Sequence, residues 1–324
     1  MNLVVSHWSA NLLVLAGYTT VAAAHLLGMR GPVTGAGRRG EAMPEGRARQ
    51  AVVFHVGLVV AVLALVSPVG YWSQRFIWVR SAQDLLLAVV APGLIVLGAP
   101  WLALRRGLEP RFLGRSVSVS GHSTLGDDSS VAASPGRLPG AGPERPDLSV
   151  PPAVLGWAVA PLAVTVAFNA VWLGWHLPVA YDAALRSPLI YGAEVITYLG
   201  CGALFWLQLI GSRPWRTRLA PLRRVGLLTA TVAISTVLAM VLVFGSGLLY
   251  PGYLGNEHHA FSVVADQQVG GAVLWVLMLP PYAITAVALL IGWLNDEESQ
   301  ALATGLDRLL KPTKSAWPSR PGLR

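Results

Sequence analysis

Ionisable and amide side chains border long apolar runs at a few positions, and their types define the chemistry open to this chain. In order they are Arg80, Gln83, Asp84, His176, Asp182, Glu194, the His258-His259 pair and Asp266-Gln267-Gln268. An ionisable group at a bilayer centre costs about 2.5–3.5 kcal/mol, less near the ends, so those retained have partners or work to do. Glu194 follows Pro188 by six residues, roughly 9 Å into a helix that rises 1.5 Å per residue. Arg80 precedes Asp84 by one helical turn. Arg80, Asp84 and Glu194 therefore read either as an ion network joining two helices or as a metal or proton site. His176 stands in Trp175-His176-Leu177-Pro178, where an imidazole is a lone ligand or simply bonds backbone. His258-His259 beside Glu257 reads as a metal-binding pair or as ordinary exposed loop. Asp266 opens an apolar stretch, where a carboxylate caps free N–H groups and suits the helix dipole. Gln267 and Gln268 add more polarity than a cap needs, and Gly270-Gly271 permit close helix approach.

These groups must be positioned by membrane helices. The chain has 324 residues, is 54% hydrophobic and only 12% charged, about half the charge of a soluble domain. Seven apolar stretches have the length an α-helix needs to cross a ~30 Å hydrocarbon core. They fall near Trp8–Met29, Ala51–Pro68, Gln83–Leu104, Pro152–Leu173, Pro188–Ile210, Val225–Leu248 and Gly270–Leu294. The fold class expected is all-α, an integral membrane bundle of seven transmembrane helices. Basic residues set its orientation: the segments 30–50, 105–150 and 211–224 and the tail after 295 hold five, six, five and five Lys or Arg. The intervening segments hold only Arg75, Arg80 and Arg186. Since basic loops stay cytoplasmic, the N-terminus is expected outside and the C-terminus inside, with the polar residues gathered on the outer rim. The formal charge of +8 is divided among short loops, which argues against nucleic acid as a partner.

Ala22-Ala23-Ala24 resembles a signal-peptide cleavage site, but Met1–Ala10 lacks the positive segment such a leader needs. The first span therefore reads as an uncleaved anchor. A single cysteine, Cys201, excludes an internal disulfide and a C-x-x-C metal site. Residues 115–151, rich in Ser, Gly and Pro and containing His122, read as a disordered cytoplasmic loop within a membrane domain spanning 1–294. The cytoplasmic tail 295–324 is expected to carry a short amphipathic helix at Leu302–Leu310, with Leu302, Leu306, Leu309 and Leu310 toward the bilayer surface. Pro92 and Pro280-Pro281 should kink the third and seventh spans. Arg outnumbers Lys 22 to 2, the usage of a GC-rich bacterial genome.

The order of motifs resembles the CtaG family of cytochrome c oxidase assembly factors. The resemblance is carried by Gly57 to Ser67-Pro68, then Gln83 and LLLAVVAPGLIVLGAP at 85–100. WHLPVAYDAAL at 175–185 follows, with Glu194 and LFW at 204–206, then LLYPGY at 248–253 and DQQVGG at 266–271. It implies a multi-pass protein of the bacterial cytoplasmic membrane that helps assemble haem–copper oxidase, by copper delivery or as a scaffold, and is not an enzyme. Its partners would be the lipid bilayer and cytochrome c oxidase subunits or a copper chaperone. The family pattern is rich in histidine at the outer face, with H-x-x-x-H ahead of the third span and a His with a Glu-His pair in the fifth. Here Arg80 and Asp84, then Tyr191, and Glu194 followed by Val195 stand at those positions. His176, Glu194 and Asp266 remain as candidate metal ligands, with copper the implied metal. Arg80, Gln83, Asp84, Tyr191, Gln267 and Gln268 form a structural or remnant polar cluster. Carboxylate and amide oxygens suit copper poorly, and a guanidinium repels it, so this departure from the family pattern is expected to leave a scaffold whose metal site is weakened or lost. A transporter using Glu194 and Asp266 is the alternative, although spans four and six offer little polar path beyond Asn169, Thr229, Thr231, Ser235 and Thr236.

Overall fold

Proline placement decides where several of the helices begin. The structure is a computed structural model that describes residues 7–8, 11–29, 45–108, 161–212, 217, 219–255 and 262–310. Helices α3 (Pro68–Ser73), α7 (Pro178–Arg186), α8 (Pro188–Leu209) and α9 (Pro221–Phe244) each carry proline at their first position. There its missing N–H costs nothing and its fixed φ suits the helix. The residues just before, Ser67, Leu177, Ser187 and Ala220, have ψ of 174°, 136°, 116° and 148°, as the clash with the proline ring requires. The remaining helices are α1 (Leu12–Met29), α2 (Glu45–Val66), α4 (Ile77–Leu97), α5 (Trp101–Leu108), α6 (Pro161–Trp175) and α10 (Val263–Leu310). Among the described residues there is no strand.

The chain is thus all-helical and multi-pass. Among the described residues six helices are long and apolar enough to cross a membrane, and a seventh span results if α6 and α7, bent by 69° at their junction, count as one. Residues 115–151, His122, His258-His259 and 311–324 lie outside the described residues.

Several boundaries differ from expectation, among them the starts of α2 at Glu45 rather than Ala51 and of α10 at Val263 rather than Gly270. The third span begins at Ile77 rather than Gln83, so Arg80 joins Asp84 inside the helix. It also ends at Leu97 rather than Leu104: Ala99 takes a left-handed φ of 45° before Pro100, and α5 starts afresh at Trp101. Finally, the short tail helix is no separate element, because α10 runs unbroken through Leu302 to Leu310. At ~1.5 Å per residue its 48 residues extend roughly 72 Å, more than twice the hydrocarbon thickness. Leu302 and Leu306 are exposed on it.

Pro92 leaves its mark as a π-helical stretch at Leu86–Val90 inside α4. A proline frees a carbonyl one turn back, and neighbouring helices must compensate for such freed groups. The indole Nε1 of Trp206 on α8 donates to Val89 O at 2.8 Å. Gly202, where a Cβ would stand 2.3 Å from Ala88 O, lets α8 come that close. Pro280 and Pro281 lie within α10.

Small residues set the other tight crossing. A Cβ on Gly28 would lie 1.7 Å from Ala103 O, and one on Gly107 would lie 1.8 Å from Ala24 O. Ala24 and Gly28 of α1 thus mesh with Ala103 and Gly107 of α5, a reciprocal small-x-x-x-small contact. Ala22-Ala23-Ala24 lie within the helical α1.

Candidate functional site

The polar residues converge where α2 ends, where α4, α8 and α10 begin, and where α6 meets α7. Arg80 is wholly buried. Its Nη2 donates to Glu194 Oε2, and its Nε lies 3.6 Å from Asp84 Oδ1. The guanidinium carbon also stands 5.0 Å from the ring centre of Tyr181 and 5.2 Å from that of Tyr191, within cation–π range. One arginine therefore ties α4, α7 and α8 together. Of the two readings of Arg80, Asp84 and Glu194, these contacts are those of an ion network joining α4 and α8.

His176 is buried beside it, with Nδ1 2.8 Å from Trp172 O. A carbonyl only accepts, so Nδ1 carries the hydrogen. Nε2 then faces Asp84 Oδ2 across 3.9 Å, longer than a hydrogen bond. Neither atom meets a partner among the described residues, and neither do Arg80 Nη1, Gln83 Oε1, Glu194 Oε1, Trp172 Nε1 or Tyr198 Oη. Buried polar atoms are almost always paired, so this interior has room in its hydrogen bonding for water.

Gln83 and Tyr191 do structural work. Pro68 has no N–H to bond Ala64 O one turn back, and Gln83 Nε2 bonds that carbonyl at 2.6 Å. The same amide nitrogen donates to Tyr191 Oη at 2.8 Å, linking the end of α2 to α8 through α4.

Asp266 caps a helix other than the one it stands on. Its Oδ2 accepts from Ile77 N at 2.7 Å and its Oδ1 from Trp78 N at 3.2 Å. Those are free N–H groups of the first turn of α4. Gln267 is spent on the preceding loop: Oε1 accepts from Leu249 N at 2.8 Å, and Nε2 donates to Gly247 O at 3.2 Å. Gln268 is half-buried. The glycines behind act as expected. A Cβ on Gly270 would lie 2.9 Å from Ser81 Oγ, and one on Gly271 2.7 Å from Leu242 Cβ.

The Tyr-Pro-Gly-Tyr loop closes the same end. Tyr250 Oη donates to His176 O at 3.0 Å, Gly252 N to Asp182 Oδ1 at 3.2 Å, and Tyr253 Oη to Ser73 O at 2.8 Å. Tyr181 stacks on Tyr250 with centres 4.1 Å apart. Each sequence motif of this end thus bonds another one.

Of the three candidate metal ligands, Glu194 is paired with Arg80, Asp266 is held by backbone N–H groups, and His176 faces Asp84. Among the described residues no group of three or more His, Cys, Asp or Glu is placed to hold a metal ion. The donor set here does not fit copper, because a guanidinium occupies its middle and it contains one imidazole.

Sequence reasoning passed over Trp172 and Tyr198, whose polar tips face this interior, and it passed over two histidines at the opposite end. His25 on α1 and His55 on α2 stand with ring centres 5.1 Å apart. An ionisable side chain inside an apolar run was the signal available for them.

Fold and site together define a multi-pass helical membrane protein whose polar interior is stitched at one end by a buried arginine. The chain belongs to the cytochrome c oxidase caa3 assembly factor family, whose sequence model matches residues 33–296. Among curated relatives, an uncharacterized protein of Mycobacterium leprae is 25% identical over 270 residues, covering 82% of this chain and 37% of that protein. An uncharacterized protein of Mycobacterium bovis is 26% identical over 267 residues, covering 82% and 36%. The chain thus spans little more than a third of the length of these relatives. No solved structure matches it.

Proposed function

We propose that the protein assists assembly of a haem–copper cytochrome c oxidase in a bacterial cytoplasmic membrane as a non-catalytic scaffold, without carrying copper at the Arg80 end. Family membership supports the assembly role. The observation that favours scaffold over carrier is Arg80, which brings the positive charge between Asp84 and Glu194 that a bound cation would otherwise supply. The loops of this end, 174–187 among them, are the ones poor in Lys and Arg, so on this reading the cluster faces the exterior. The oxidase subunits and the bilayer are then its partners, and a copper chaperone is not required.

Deleting the gene in its host tests the proposal. Oxidase activity and assembled oxidase should fall, added copper should not restore them, and both wild type and His176→Ala should. Unchanged oxidase in the deletion strain overturns the assembly role. Rescue by copper alone, or stoichiometric tight copper binding abolished by His176→Ala, overturns the scaffold reading.

A further inference from the structure

We propose that His25 and His55, with the Met29 thioether one turn along, form a site for a soft monovalent cation of the Cu(I) or Ag(I) class. His25 is 3% exposed, and its ring meets His55 edge to face, at 78°. Phe54 packs against His25 with ring centres 4.4 Å apart. Among the described residues His25 Nδ1 and His55 Nε2 are buried without a hydrogen-bond partner. Two adjacent imidazoles that both leave a nitrogen unused are a departure from ordinary burial, where such atoms are paired.

The chemistry of the surroundings selects the ligand. Zinc and other divalent ions ask for about four donors and for compensating charge, and no third His, Cys, Asp or Glu is grouped here among the described residues. A monovalent ion that accepts few donors is suited by two neutral imidazoles and a thioether in an apolar wall. Met29 lies four residues after His25, on the same face of α1, and a thioether is a soft donor that favours Cu(I). The rings are held in place from both sides. Ala24 and Gly28, flanking His25, are fixed against α5, and Phe54, beside His55, abuts Gly98 at the end of α4. From Arg80 to Gly98 is eighteen residues of chain, roughly 27 Å along the helix. This site is therefore separate from the Arg80 cluster, and it does not depend on the oxidase reading.

Silver titration of the purified full chain in detergent tests it, in a Cys201→Ser, His258→Asn, His259→Asn background that removes the competing thiol and imidazole pair. One tight Ag(I) per protein is expected, and X-ray absorption at the silver edge should show imidazole nitrogen neighbours. His25→Asn and His55→Asn should each weaken binding at least about tenfold, the smallest loss typical for a disturbed metal shell. Absence of stoichiometric binding, a first equivalent without nitrogen neighbours, or unchanged affinity in both variants overturns the proposal. The absorption spectrum of the unsubstituted site decides the matter even if a histidine variant fails to fold.

Discussion

At one end of the bundle the polar groups are charged and tied to one another, while at the other two neutral rings stand together with nitrogens unused. Arg80 meets Glu194 and Asp84, and removing any member strands the others. His25 and His55 meet edge to face with Phe54 packed against them, so neither leaves a charge behind when replaced. The contrast teaches that burial of polar side chains in one membrane fold follows two rules. Where opposite charges are mutually satisfied, the network holds helices together; where neutral rings keep free nitrogens, stability gains little and the groups are open to a ligand.

Substitutions can break or sharpen that contrast. Arg80→Met leaves two buried carboxylates without their cation and should destabilise the protein by about 3–5 kcal/mol, read from unfolding in detergent. A loss under about 1 kcal/mol would mean that the arginine end is not a mutual network. Gly28→Val drives side-chain atoms into Ala103 O and should cost about 1–3 kcal/mol through overpacking, visible as a lower midpoint in the same assay. Gln83→Leu strands Ala64 O and Tyr191 Oη and should cost about 1–3 kcal/mol as well; if it is neutral, Ala64 O has found another donor. Asp266→Ala uncaps α4 for about 1 kcal/mol, and faster amide exchange at Ile77 and Trp78 would locate the damage. His25→Leu should be the mildest, leaving stability unchanged or raising it by up to about 1 kcal/mol, because an unpaired polar group gives way to an apolar one of similar size. A large loss there would erase the distinction between the two ends.

The sequence carried much of this in local form. Arg80 and Asp84 show their relation through a spacing of four, and Glu194 announced itself by its depth. Their burden on hydropathy is also why the third span looked as if it began at Gln83. The charges neutralise one another, so the helix starts at Ile77. Its far end was misjudged because Pro100 and the left-handed Ala99 break an apolar run that composition alone continues. Asp266 was legible as a cap, whereas its client was not, since Ile77 lies 189 residues earlier and no local pattern encodes that pairing. His25 and His55 escaped because a lone histidine in an apolar run looks like packing until a second is found against it.

The length of α10 ties distant places mechanically. Asp266 grips the start of α4, and the same rod continues to Leu310. A pull on its far tip would therefore be felt at that grip, like a crowbar working on a nail. The tandem prolines at 280 and 281 are where such a lever would flex first.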